Sequence, residues 1–282
     1  SSFGTLHRVK YFKMPPAREK IGPVKTLGQM GKTFSNKGFL AILAFGVLKY
    51  TSVGMTSALN IYFGTYFWGF NSAQLAILTV DSLAGAFLAL FLAPIVSKRL
   101  GKRNAAFYLA IFAVMFASAP YLLRFAGLMP ENGDPGLVAA VFAFSMLFQL
   151  CGVSSAVLTH AMIGDIVEES QLRTGRRSEG LFYAANTLMQ KSTSGLGVFA
   201  AGLLVAFVGI VPGSDPRTID PDIPRMLALV YVPTLIVLYI GGAGFLFAYR
   251  IDRASHEANV EELARRDRAS AVNADEVPEP AP

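Results

Sequence analysis

Hydrophobic residues in this chain come in six long runs, separated by short segments rich in charged or turn-forming residues. Each run is longer than the apolar stripe of a soluble helix and reaches the roughly 20 residues that a helix needs to cross a bilayer. The pattern therefore predicts an all-α membrane protein in which residues 38–250 form a six-helix transmembrane domain. The predicted spans are 38–66, 71–96, 105–123, 136–164, 180–210 and 226–249.

Polar segments flank that domain. Residues 1–37 are basic and are interrupted by two adjacent prolines, which predicts a cytoplasmic linker. Residues 251–282 contain a charged helix candidate at 254–268 and then a proline-rich acidic stretch, so we expect a partly disordered cytoplasmic tail. Because the chain begins with Ser1, followed by basic and polar residues, we expect a fragment without a signal peptide at its start.

The distribution of lysine and arginine predicts the orientation of the spans. Cytoplasmic loops of membrane proteins are enriched in these residues, and here nearly all of them lie on one side of the predicted spans. We therefore expect a multi-pass protein of the plasma (inner) membrane with both termini cytoplasmic. The basic segments are 1–37, 98–103, 173–177 and 250–268, and the opposite side has Arg124, Arg217 and Arg225.

The amino-acid composition excludes several classes of protein. Only 16% of the residues are charged and 53% are hydrophobic, whereas a soluble domain carries about 25% charged residues. The net charge of +6 follows from the loops and does not indicate a nucleic-acid partner. The only cysteine, Cys151, cannot form a disulfide within the chain. The spans contain no nucleophile–base set or metal cluster, so we expect neither an enzyme nor a cofactor.

Two triplets of spans start on opposite sides of the membrane, which predicts two inverted three-helix repeats. Polar residues form helical stripes in four of the spans, whereas spans three and six have no charge in their interiors. We expect the four striped helices to face a wet cavity; the alternative for any one stripe is polar contact between packed helices. The stripes are Lys49, Ser52, Thr56 and Asn60; Gln74 and Asp81; Ser145, Gln149 and His160; and Tyr183, Asn186, Thr187, Gln190, Lys191 and Ser194.

Charged residues inside the spans are candidates for function. A lone cation near the bilayer centre costs about 2.5–3.5 kcal/mol on insertion scales, and Lys191 lies about twelve residues into the fifth span. We expect water, a partner or a ligand to meet its ammonium group; a structural pair is the alternative. Asp81, the only acid deep in a span, is expected to form an intramembrane ion pair with Lys49 or Lys191.

The segment between the fourth and fifth spans carries a resemblance to a known family. Its residues Asp165-Ile-Val-Glu-Glu169, Thr174-Gly-Arg-Arg-Ser-Glu-Gly180 and the following run to Lys191 resemble the C-terminal half of a major facilitator superfamily transporter. The specific family is that of the glycoside–pentoside–hexuronide:cation symporters, which includes melibiose permease. The resemblance covers essentially the whole chain, since the six spans and the loop lengths also fit.

The resemblance implies a twelve-helix transporter that works by alternating access, with the solute between two six-helix halves. Lys191 falls where the family places a lysine near the solute, and Asn186 and Thr187 lie on the same helical face. The coupling cation, sodium or a proton, is expected to bind in the N-terminal half, outside this chain. Ala156 stands where sugar porters of the family can carry an aromatic residue.

Two sets of site residues follow. We expect Asp165 to form a cytoplasmic gate with an arginine, which is Arg176 or Arg177 of the same loop or Arg99 of the preceding one; the alternative is a solvated charged loop. The expected solute-binding residues are Lys191, Asn186, Thr187, Gln190, Tyr183, Lys49, Thr56 and Asn60.

The function expected from this sequence is half of a cation-coupled secondary transporter for a small polar solute such as a glycoside or a uronate. Its partners would be membrane lipid, the solute and the N-terminal half. One alternative is a transporter of amphipathic solutes, lysolipids or drugs, which Ala156 and the aromatic content favour. Another is a self-contained six-helix scaffold or channel.

Overall fold

The computed structural model describes residues 36–175, 178–210 and 219–275, and the regular structure within these ranges is helical. Six helices there are long and apolar enough to cross a membrane, which confirms the predicted six-span, all-α architecture. They are α1 (Lys37–Tyr62, continued by a π-helical turn at Phe63–Phe67), α2 (Ser72–Leu100), α3 (Lys102–Phe125), α4 (Pro135–Thr174), α5 (Glu179–Val208) and α6 (Asp222–Phe245, followed by a 3-10 turn at Leu246–Ala248). A further helix, α7 (Arg253–Asp275), includes the predicted tail helix.

Helix α4 is longer than the sequence pattern predicted. The fourth span was expected to end at Gly164, but the helix continues without a break to Thr174 and ends at Gly175, whose φ of 70° is left-handed. Its 40 residues extend about 60 Å at 1.5 Å per residue, roughly twice the thickness of the hydrocarbon core. The last turns of α4 therefore extend the helix beyond its apolar part and carry Asp165, Glu168 and Glu169.

The bundle has two chemically different ends. The start of α1 lies beside the end of α4, where the side chain of Asn36 donates a hydrogen bond of 3.1 Å to Glu169. We call this the basic end, because Lys98, Arg103 and Arg250 lie around the same cavity there. At the opposite end Phe67 and Trp68 pack with Tyr121, and we call it the aromatic end.

The packing of the helices repeats itself within the chain. Helix α1 packs along α5 and α2 along α4, while α3 packs along α4 and α1 along α6. When α1, α2 and α3 are mapped onto α4, α5 and α6 and the reverse, the α1–α5 packing becomes the α4–α2 packing. The α3–α4 packing likewise becomes the α6–α1 packing. Helices α1 and α4 run in opposite directions, since the start of α1 contacts the end of α4. This exchange is the arrangement expected of two inverted three-helix repeats.

Close backbone contact holds α1 against α5. A Cβ atom at Gly197 would overlap the carbonyl oxygen of Thr51, and one at Gly54 would overlap that of Ser194. Only glycine allows the two helix backbones to approach so closely, as small residues do in membrane helix pairs. This seam fixes the position of α5, the helix that carries most of the expected solute-binding residues.

Candidate functional site

The expected solute-binding residues fall into separate regions of the bundle. Tyr183, Asn186 and Gln190 of α5 meet α4 at His160. Thr56 and Asn60 of α1 line a cavity near the aromatic end. The remaining three, Lys49, Thr187 and Lys191, belong to neither group. The expected solute-binding residues therefore do not form one site within this six-helix bundle.

His160 is the centre of a polar cluster between α4 and α5, which we call the His160 cluster (His160, Tyr183, Asn186, Gln190). Its Nδ1 lies 2.8 Å from the carbonyl oxygen of Ala156, and a carbonyl only accepts, so Nδ1 donates. In the neutral ring Nε2 then accepts, and the side-chain amides of Asn186 and Gln190 lie 3.4 Å from it. The Tyr183 hydroxyl donates to the backbone carbonyl of His160 at 3.2 Å. The sequence stripe contained His160 but did not identify its role.

Lys191 and Thr187 lie on the exposed face of α5, next to this cluster. Neither side chain forms a hydrogen bond or an ion pair with the described residues. Lys191 directly follows Gln190, whose amide contacts His160. The ammonium group is therefore presented on the outer face of the six-helix bundle, one residue from the polar cluster.

Lys49 does not pair with Asp81. It is 3% exposed, its Nζ donates to the carbonyl oxygen of Gly152 at 3.1 Å, and the same ammonium lies 5.4 Å from the ring centre of Phe45. Lys49 is one helical turn nearer the basic end than Val53, where the cavity that contains Asp81 begins. The expected intramembrane ion pair with Lys49 or Lys191 is absent from the described residues, because neither lysine reaches Asp81.

The cavity near the aromatic end has a volume of about 310 Å³. Five helices line it, including α3 and α6, whose spans contain no charge in their interiors. Its wall combines an acid, amides and hydroxyls with aromatic rings, the mixture typical of a site for a polar solute. The polar residues in the wall are Thr56, Ser57, Asn60, Asp81, Ser82, Ser145, Gln149, Tyr121 and Tyr231.

Aromatic packing closes this cavity toward the aromatic end. The ring of Tyr121 packs on those of Trp68 and Tyr231 at centroid distances of 5.5 and 5.7 Å. Thr56 donates to its own helix at 2.9 Å, so the hydroxyl of Tyr231, 2.9 Å away, donates to Thr56. Arg124 stacks over Trp68 at 5.1 Å from the ring centre. Packed aromatic rings, including that of Trp68 in the loop between α1 and α2, therefore line this end of the cavity.

At the basic end, Asp165 is the centre of a second polar cluster, the Asp165 cluster (Lys102, Asp165, Tyr249, His256). The carboxylate is 4% exposed. Its Oδ1 accepts from Lys102 Nζ at 2.5 Å and lies 3.2 Å from Nδ1 of His256, while Oδ2 accepts from the Tyr249 hydroxyl at 2.9 Å. The cluster connects α4 to the start of α3, the end of α6 and α7.

One of the three arginines expected to pair with Asp165, Arg99, needs correction. Arg99 is exposed and forms no ion pair with Asp165 in the structure; Lys102, three residues later, takes that place. The reason is that α2 ends at Leu100 and Gly101 reverses the chain, so Lys102 at the start of α3 faces α4. Arg176 and Arg177 lie outside the described residues.

Helix α7 contacts the extended end of α4. His256 Nδ1 lies 3.0 Å from Oε2 of Glu168, and Arg266 donates to the carbonyl oxygen of Leu172 at 3.1 Å. The ligand atoms of Asp165, Glu168 and His256 lie within 4.8 Å of one another. Lys102 and Tyr249 contact both oxygens of Asp165, so this carboxylate is already paired within the protein.

Comparison with known proteins gives a consistent set of relatives. The sequence model of the family described as MFS/sugar transport protein matches residues 1–253. The chain is 29% identical over 266 residues to an uncharacterized symporter of Synechocystis sp., covering 93% of this chain and 46% of the relative. It is 24% identical over 245 residues to an uncharacterized symporter of Bacillus subtilis, covering 86% and 50%. It is 26% identical over 216 residues to the lactose permease of Lactobacillus delbrueckii subsp. bulgaricus, covering 76% and 32%.

These comparisons indicate the class of protein and how much of its relatives the chain covers. The relatives are named as symporters and a permease, so the chain is related to transporters and not to enzymes. The chain spans about half the length of the two symporters and less of the permease.

Proposed function

The chain belongs to the MFS/sugar transport protein family, and from this we propose that it forms the C-terminal half of a cation-coupled symporter. The solute is small and polar, such as a glycoside or a uronate. It binds between this half and an N-terminal six-helix half of the same protein, and the two halves open alternately to either side of the membrane. The observation that carries the proposal is the His160 cluster, which lies beside the exposed ammonium group of Lys191.

The chemistry of this face suits a solute with many hydroxyl groups or a carboxylate. An ammonium group has three N–H donors and no acceptor, and its hydrogen bonds to an anion are stronger than neutral ones. Thr187 adds a hydroxyl on an exposed position one turn away. Asn186 and Gln190, bound to His160, fix the α5 turn from which Lys191 extends. The relative named lactose permease supports a glycoside, and the relatives named symporters support coupling to a cation.

The aromatic-end cavity forms the other part of the proposed solute path. Thr56 and Asn60 lie in its wall together with the rings of Trp68 and Tyr121, and sugar rings bind between aromatic faces and polar donors. Lys49, in contact with Gly152, contributes by positioning α1 against α4. In this proposal the solute passes from the cavity to the exposed face of α5 as the halves rock.

The basic end is cytoplasmic in this proposal, and the protein lies in the plasma (inner) membrane with both termini in the cytoplasm. Lys98, Arg103 and Arg250 at that end support the orientation, because basic residues are enriched on the cytoplasmic side. The Asp165 cluster is then a cytoplasmic gate. Its contacts with α3, α6 and α7 stabilise the packing of that end within this half.

Uptake by the complete protein, reconstituted in vesicles, tests the proposal. The panel contains glycosides, uronates and lysolipids, each with and without a sodium or proton gradient. We expect accumulation of a glycoside or uronate only when a cation gradient is present. Accumulation of lysolipids alone, or of no solute under any gradient, would contradict the proposed solute class.

A further inference from the structure

Asp81 is buried deep inside the bundle. It lies nine residues after the first residue of α2, Ser72, which places it about 13.5 Å along the helix axis. Helix α2 has 29 residues and the hydrocarbon core is about 30 Å thick, so Asp81 lies well inside the span and not at either end. The residue is 3% exposed. A carboxylate at this depth is costly and marks a functional position unless another group neutralises it.

No cation of the described residues neutralises Asp81. The neighbouring hydroxyl of Ser82 donates a hydrogen bond of 2.8 Å to its Oδ1. The residues that line the surrounding cavity include no lysine, arginine or histidine. The titratable groups that face it are the hydroxyls of Tyr121 on α3 and Tyr231 on α6, and Lys49 on α1 donates elsewhere.

Side chains with oxygen atoms line the same cavity as the carboxylate. Helix α1 contributes Thr56 and Asn60 to the cavity wall, and α4 contributes Ser145 and Gln149. One turn after Asp81, Gly85 packs against α4 so closely that a Cβ there would lie 2.7 Å from Cβ of Gln149. This contact places the Gly85 turn of α2 at the level of Gln149 on α4. Asp81 lies one turn nearer the aromatic end, where α4 carries Ser145.

We propose that Asp81 is the carboxylate of a binding site for one small monovalent cation, a proton or a sodium ion. A sodium ion takes hard oxygen ligands, which the carboxylate, hydroxyls and amides of this cavity supply; a proton needs only the carboxylate and the low-dielectric surroundings. The site is additional to the one expected in the N-terminal half. Its role in coupling rests on the proposed function, whereas cation binding itself does not.

A carbodiimide tests cation binding on the unaltered protein. N,N′-dicyclohexylcarbodiimide adds to a protonated carboxyl group in apolar surroundings, and peptide mapping by mass spectrometry locates the adduct. We expect an adduct at Asp81 that sodium suppresses at constant pH if the ligand is sodium, or that only a rise in pH suppresses if the ligand is a proton. Absence of the adduct, or an adduct insensitive to both cations, would overturn the proposal. This outcome is independent of whether a solute is transported.

A pair of variants tests the role in coupling. Asp81→Asn keeps the shape of the side chain and removes its charge, while Glu131→Gln removes an exposed acid from a loop of the complete protein. We expect Asp81→Asn to lose at least tenfold in cation-driven accumulation and to retain solute exchange across the membrane, with Glu131→Gln unchanged. Accumulation at the wild-type level in Asp81→Asn, or loss of exchange in a folded Asp81→Asn, would contradict the assignment.

Discussion

The hydroxyl of Tyr249 donates a hydrogen bond of 2.9 Å to Oδ2 of Asp165, a contact between residues 84 positions apart in the chain. Lys102 contacts the other oxygen of the same carboxylate at 2.5 Å. Residues from the start of α3, from α4 and from the segment after α6 thus converge on one buried charge. In the proposed transporter this convergence keeps the basic end closed.

Replacing Tyr249 by phenylalanine removes one donor to Asp165 and changes little else. A hydrogen bond to a charged group contributes about 1.5–3 kcal/mol, so we expect at least tenfold faster opening of the basic end. The measurement is the alkylation rate of a cysteine introduced at Ser97, which lines the basic-end cavity, in a Cys151→Ser background. Tyr108→Phe, at an exposed position of α3, is the matched control. Equal alkylation rates in the two variants would contradict the gate.

The contribution of Tyr249 is expected to be independent of pH in the physiological range. Burial, together with the negative charge of Asp165 and the hydrogen bond to it, raises the pKa of the Tyr249 hydroxyl well above its usual value. A group whose pKa rises on folding stabilises the fold fully below its unfolded pKa, about 10 for tyrosine, and loses this effect as pH rises through the folded pKa. The difference in melting temperature between wild type and Tyr249→Phe should therefore be the same at about pH 6 and about pH 9. A difference that shrinks by pH 9 would show that the hydroxyl ionises early.

Substitutions of Lys102 and Arg99 compare the observed ion pair of Asp165 with one of the three that the sequence predicted. Lys102→Gln removes the ammonium that contacts Asp165, whereas Arg99→Gln removes an exposed cation from the end of α2. Because Lys102 is about one-third exposed, we expect a moderate loss, about 1–2 kcal/mol in the free energy of unfolding. The check is thermal unfolding of both purified variants. Equal melting temperatures would mean that the Asp165 pair adds nothing to stability.

The seam between α1 and α5 makes a prediction about stability. A Cβ at Gly197 overlaps the backbone of α1, whereas a Cβ at Gly195 meets nothing within 4 Å. Gly197→Ala must separate the helices and should destabilise the fold by about 1–3 kcal/mol, as overpacking does. Gly195→Ala should be neutral or stabilising, since alanine favours a helix by about 1 kcal/mol over glycine. Folded yield and melting temperature measure both effects, and similar values for the two variants would contradict the seam.

His160 is a positioning residue of the proposed solute site. His160→Leu leaves the amides of Asn186 and Gln190 without the acceptor that they now face at 3.4 Å. We expect the solute dissociation constant to rise about tenfold, which corresponds to about 1.4 kcal/mol. Thr193→Ala, on the same helix and bonded within it, is the control. Calorimetric titration of both variants distinguishes a site effect from a general loss of fold.

Much of the fold could be predicted from the sequence, because apolar runs of bilayer length leave few alternatives. The six predicted spans overlap the six long helices, and the end of α4 is the clear error. The charges of Asp165, Glu168 and Glu169 resembled a loop, but they lie three and four positions apart on one helical face. Their partners, Lys102, His256 and Asn36, come from distant parts of the chain and stabilise that extra helix.

The sites were less predictable, for a physical reason. A polar stripe such as Asn186 and Gln190 identifies one face of a helix, but the packing of two helices decides what that face meets. Here it meets His160, which is 26 and 30 positions away. The predicted ion pair between Asp81 and Lys49 was wrong for the same reason. The two residues lie at different depths in the bundle, so their side chains do not meet.

The central claim is that Lys191 binds the solute, and the affinity of a folded Lys191→Ala variant of the complete protein tests it most directly. Solute affinity and melting temperature are measured on the same purified sample, with Lys98→Ala, at an exposed position of α2, as the matched control. We predict a dissociation constant raised at least 100-fold, about 2.7 kcal/mol, at an unchanged melting temperature, with incomplete recovery in Lys191→Arg. Wild-type affinity in Lys191→Ala would contradict the claim.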